Sequence, residues 1–133
     1  MIFEPQIPKW GLIEFEQYKE KLINYHNWLY TTGIKTGLIS KKSKQFIWDE
    51  FIIHSLYFHY LIKKYNFESK EIYDLGTGGG IPGVPISIVN KSKVNLIDNK
   101  KTRIYELQRL VKTLNLENAI PKEEDANFTL KNL

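Results

Sequence analysis

The sequence predicts an α/β fold, in which an N-terminal helical region leads into the first half of a doubly wound sheet with three parallel strands. Three observations predict it. Apolar side chains recur at helical spacing up to about Tyr65. From Glu71 the pattern changes to short apolar runs separated by amphipathic stretches. Directly after the first run comes "EIYDLGTGGGIPGVP", Glu71 to Pro85, with four glycines in five positions.

The first helix is read over residues 12–30. Leu12, Phe15, Tyr18, Leu22, Tyr25 and Leu29 form its apolar stripe, and acidic and lysine residues lie between them. Thr31-Thr32-Gly33 is expected to end it. A lysine-rich connection, "SKKSK" from Ser40 to Lys44, precedes a second helix from about Phe46 to Tyr65. That helix is apolar on most of its surface and is expected to be buried. Asn66-Phe67-Glu68-Ser69 is the break, which sets an N-terminal helical region at 1–68 and the first half of a doubly wound domain at 69–133.

"EIYDL" is the first strand and "VNLID", Val94 to Asp98, the second. Pro82 to Asn90 forms the helix between them, with proline tolerated in the first turn. Ile104, Leu107, Leu110 (or Val111) and Leu114 mark one face of the next helix, and Ala119 to about Glu123 begins a third strand. Strand–helix–strand–helix–strand implies parallel pairing with right-handed crossovers.

Composition limits the function classes. The chain has 133 residues, 42% of them hydrophobic, which is enough to build a core. It has no cysteine, which excludes disulfides and thiolate metal sites and fits a reducing, cytoplasmic compartment. No metal is expected. The net charge of +4 comes almost entirely from lysine and suits a nucleic-acid partner, although a bias toward lysine, isoleucine and asparagine produces the same balance. The longest apolar stretch, Phe51 to Ile62, is about 12 residues and is interrupted by His54 and His59, well short of the ~20 a bilayer crossing needs. No membrane association is expected.

The glycines fall where a doubly wound sheet binds its ligand, at the carboxyl end of the first strand. Glycine permits positive φ and lets a ligand approach the backbone without meeting a Cβ. The helix beginning near Pro82 is expected to direct free N–H groups at that ligand. Gly78 to Gly83 matches G-x-G-x-x-G, with Asp98 20 residues on, which is the pattern of a nicotinamide dinucleotide site. Read instead from the strand-end glycine, the pattern is Asp74-x-Gly76-x-Gly78-x-Gly80. That pattern looks like motif I of the S-adenosyl-L-methionine methyltransferases and ranks first. In that class the acid ending strand two, here Asp98, binds the ribose hydroxyls.

"DLGTGGGIPGVPISI" with "NLIDNKKTRIYELQRLVKTLNLEN" resembles the glucose-inhibited division protein B family. These are bacterial methyltransferases of a Rossmann-like fold that modify N7 of a guanine in small-subunit (16S) ribosomal RNA. "TTGI" at Thr31 and "HSL" at His54 also resemble family segments. The resemblance implies S-adenosyl-L-methionine as cofactor, Gly76, Gly78 and Ile81 against it, and Asp98 on its ribose. The family's Arg-x-Glu, which lines the adenine, falls on Asp125-Ala126-Asn127 by ungapped count, so Ala126 and Asn127 take that place. Phe51 and His54 stand where the family has His and Asp, and Tyr25-His26 where it has Trp-Asn.

The chain stops after the third strand, so it reads as truncated, and the first strand is expected to be a free edge prone to self-association. Guanine N7 carries a lone pair and no proton, so no catalytic residue is named; His26, His54 and His59 are assigned to packing. The lysine clusters are candidate phosphate contacts, above all Lys100-Lys101-Arg103 beside Asp98. Two rival readings are a non-catalytic RNA-binding remnant of a methyltransferase and a nicotinamide-binding oxidoreductase fragment.

Overall fold

The computed structural model describes residues 3–67 and 69–133. Helix α1 (Leu12–Phe15) lies between two 3-10 turns, Lys9–Gly11 and Glu16–Tyr18, and runs into α2 (Lys19–Trp28). Phe15, Leu22, Tyr25 and Leu29 are fully buried, as their spacing predicts. The helical path continues through a π turn at Leu29–Gly33 instead of stopping there. Gly33 is not a terminator. A Cβ on it would press on Leu29 and approach Ile39, so the glycine admits close packing. The turn comes at Gly37, whose φ of +76° is the left-handed conformation.

A 3-10 turn (Lys41–Phe46) and a π turn (Ile47–Ile53) lead into α3 (His54–Lys64). Only one side of this segment is buried. Ile47, Ile52, Leu56 and His59 face the core, while Tyr57 and Phe58 are exposed. The expectation of a buried helix holds for that side and is corrected for the other, where aromatic rings face outward. The domain boundary falls on Glu68, which lies outside the described residues.

Strands β1 (Glu71–Leu75), β2 (Lys93–Asp98) and β3 (Ala119–Glu123) form one parallel sheet in the order β1-β2-β3. Ile72 pairs with Val94, Leu75 with Ile97, and Asp98 with Glu123. β2 is central, and Val94, Leu96 and Ile97 are buried as a parallel strand requires. β1 is an edge: among the described residues it pairs on one side only. α4 (Gly83–Val89) is buried along its whole length, with Pro82 one place earlier than expected, at the N-cap. α5 (Lys101–Leu114) buries Ile104, Leu107 and Leu110, and Asn115 ends it with φ +56°. The sequence gives no periodic signal for α6 (Ala126–Lys131), which Asp125 caps by accepting from Asn127 N and Phe128 N at 2.8 and 3.2 Å.

The helices after β1 and β2 return on one face by the handedness of their crossovers. α2 packs on α4 and α5, and α3 on α4. One buried cluster thus runs from Phe15 and Leu29 through Val84 to Leu96 and Leu107. That packing carries the N-terminal helices up to the glycine turn.

Candidate functional site

The turn from β1 into α4 is built from the carboxyl ends of β1 and β2. Gly76 N and Thr77 N both donate to the Ile97 carbonyl at 2.9 Å, so the turn stays tied to the neighbouring strand. Gly80 N and Ile81 N then fold back onto the Thr77 carbonyl. Gly76, Gly78 and Gly80 have φ of +72°, +55° and +89°, which L side chains rarely adopt.

These glycines fall into two kinds. A Cβ on Gly76 or Gly78 would meet nothing within 4 Å. A Cβ on Gly80 would lie 2.5 Å from Val84 Cγ2, and one on Gly83 would lie 2.4 Å from Leu96 Cδ2. The first two glycines line an open surface. The other two let α4 close onto the sheet.

Asp74 organises the turn from inside. Its Oδ2 accepts from Thr77 Oγ1 at 2.8 Å and from Gly83 N at 2.9 Å. Burial pushes its carboxyl above the ordinary 3.8; the two hydrogen bonds pull it back, and the charge of Asp98 adds to the rise. The first N–H of α4 is thus held by Asp74, which corrects the expectation that it faces a ligand. The motif contains Asp74, but spacing alone gave it no role. Tyr25, far away in sequence, donates its hydroxyl to the Gly79 carbonyl at 2.7 Å. Burial, and after it the Asp74 charge, hold that hydroxyl protonated well above its ordinary range.

Asp98 ends β2 beside the open glycines. Its Oδ2 accepts from Gly78 N at 3.1 Å and lies 3.5 Å from Arg103 Nη1, while its Oδ1 accepts from Lys100 N at 2.9 Å. Its side chain is only 3% exposed. Arg103, at 36%, is the more exposed member of the pair. Arg103 also lines a cavity of about 350 Å³, together with Thr36, Leu38, Lys101 and Tyr105.

The structure therefore brings Gly76, Gly78 and Asp98 together at one sheet edge. Ile81 follows the turn and packs half-buried against the core. Ala126 and Asn127 open α6, just beyond the carboxyl end of β3 on the same edge, where Glu124 N donates to the Asp98 carbonyl. No hydrogen bond among those described links them to the glycine turn. His59 is buried with its Nδ1 3.3 Å from Asn90 Nδ2, and His26 is buried against Phe3. His54 is exposed and meets only the edge of Phe58 among the described ring contacts.

Comparison with known proteins places these features in a family. Residues 18–129 match the GidB model, described as rRNA small subunit methyltransferase G. The chain is 34% identical over 110 residues to ribosomal RNA small subunit methyltransferase G of Chlorobium phaeobacteroides, covering 82% of the chain and 48% of that protein. It is 32% identical over 118 residues to the protein of that name from Flavobacterium johnsoniae, covering 87% of the chain and 53% of that protein. With the Mesoplasma florum protein, identity is 29% over 117 residues. The chain spans about half the length of the curated relatives it matches.

Proposed function

The chain belongs to the GidB family, rRNA small subunit methyltransferase G, and on that premise we propose that it binds S-adenosyl-L-methionine for methylation of guanine N7 in 16S rRNA. One observation carries the cofactor reading: the Cβ positions of Gly76 and Gly78 face open space at the carboxyl edge of the sheet, next to a carboxylate. The residues present fit the group. Gly76 and Gly78 offer bare backbone, Ile81 an apolar edge, and Asp98 an acceptor for sugar hydroxyls, with Ala126 and Asn127 on the adenine side. Arg103 is the partner Asp98 gives up, because the two backbone N–H groups are fixed by the turn and by the start of α5.

When bound, S-adenosyl-L-methionine supplies an electrophilic methyl on a sulfonium. Guanine N7 presents a lone pair and no proton, so the chain needs no base at that atom. Its task is to place and shield the acceptor. No helix among the described residues is long and apolar enough to cross a membrane, and we place the protein in the cytoplasm. The same reading keeps the N-terminal helical region as a support for the binding edge, and makes the side of β1 that has no partner strand among the described residues a surface through which copies would associate.

Isothermal titration with S-adenosylhomocysteine tests the proposal. We expect binding by the wild-type chain and at least a tenfold loss in Asp98→Ala. Tight binding of NAD alone would return the nicotinamide reading, which the family match leaves without support. A second reading, an RNA-binding remnant without catalysis, draws on one observation: Asp98 is almost fully covered by its own chain. It predicts RNA retention with steep salt dependence and no heat on adding the cofactor product.

A further inference from the structure

A second recess lies on the helical side of the molecule, outside the glycine turn. It encloses about 840 Å³ between the end of α2 and the 3-10 turn Lys41–Phe46, a size suited to a small organic ligand. Its inner wall is aromatic. Phe3 stacks on His26 with ring centroids 3.8 Å apart and planes 7° from parallel, and His26 in turn faces Tyr30 at 5.7 Å. Trp48 closes the floor, fixed by its indole N–H donating to the Gln6 carbonyl at 3.0 Å. Burial lowers the pKa of His26, so the stack is neutral near pH 7.

Its rim is basic. Lys41, Lys42 and Lys44 all line the recess, as do Glu4 and Asp49. None of the three lysines takes part in an ion pair among the described residues. Lys44 is held over the ring of Tyr30, 4.4 Å from its centroid, which fixes one ammonium at the aromatic wall.

We propose that this recess is a binding site for a nucleotide unit of single-stranded RNA, with the base against the Phe3–His26–Tyr30 wall and its phosphates at Lys41 and Lys42. Resting on the reading of the chain as an rRNA-handling protein, the assignment uses chemistry the glycine turn lacks. Aromatic faces hold any base by stacking, worth about 1–3 kcal/mol per base, and unpaired lysines neutralise backbone charge. A solvated lysine turn would need no aromatic recess behind it. An apolar ligand would gain nothing from three cations at the entrance.

Fluorescence anisotropy of a short 5′-labelled single-stranded RNA, titrated across a salt series, tests the site. In Lys41→Ala/Lys42→Ala the slope of log K against log salt falls by about 1.4, roughly 0.7 for each lysine lost. Tyr30→Ala lowers affinity about tenfold or more and leaves the slope unchanged. All three residues are exposed, so thermal unfolding of the variants follows wild type. An unchanged slope in the lysine variant overturns the site, as does absence of RNA binding by wild type. Displacement of the RNA by an equal concentration of AMP also overturns it, because the site would then hold free nucleotides. S-adenosylhomocysteine titrations on the same variants stay at wild-type affinity, and Asp98→Ala retains RNA binding with the wild-type slope. Failure here is thereby separated from failure of the cofactor reading.

Discussion

Gly76 and Gly78 differ from Gly80 and Gly83 in what stands where their side chains would be. The first pair faces open space; the second is pressed by Val84 and by Leu96 with Asp74. All four belong to one short motif, yet one pair shapes a surface and the other lets a helix seat on its sheet. Motif matching treats the positions alike, and only their surroundings tell a binding glycine from a packing glycine.

That contrast is testable by substitution. Gly80→Ala carries the largest penalty, because it adds a contact 2.5 Å from Val84 to a φ of +89°. Overpacking of about 1–3 kcal/mol and left-handed strain of about 1–2 kcal/mol combine, and urea unfolding should read a loss of roughly 2–5 kcal/mol. Gly78→Ala meets no neighbour, so its stability loss is the strain alone, about 1–2 kcal/mol. Its cofactor affinity should nevertheless fall at least tenfold by titration calorimetry. Equal stability losses with no change in affinity would dissolve the distinction.

Asp74→Asn gives the smallest effect. The side-chain carbonyl still accepts from Thr77 and Gly83, so stability at neutral pH changes by less than about 1 kcal/mol. The clearer signature is in pH dependence. Burial raises Asp74 above 3.8, so the folded chain holds this proton more tightly than the unfolded chain does. Its contribution is full below 3.8 and is lost as pH rises through the raised value. Asp74→Asn should flatten the unfolding free energy over that window and leave the rest of the pH profile unchanged.

Much of this architecture is legible in the sequence. The three strands and α5 follow from short apolar runs and from apolar residues such as Ile104 and Leu107 at helical spacing. Other features are not local. Gly33 reads as a stop because the sequence does not show Leu29 and Ile39 packed around it. α6 is too short to show a period and depends on the Asp125 cap. The role of Asp74 depends on Gly83, nine residues away, being folded back to it. The recess at Lys41–Lys44 joins segments that share no motif, and its lysines look like any solvated run.

The bond from the Tyr25 hydroxyl to the Gly79 carbonyl ties α2 directly to the glycine turn. Tyr25 and His26 are adjacent on α2, one touching the glycine turn and the other the wall of the lysine recess. One short stretch of helix therefore borders both places, so a substitution that displaces it would disturb each of them.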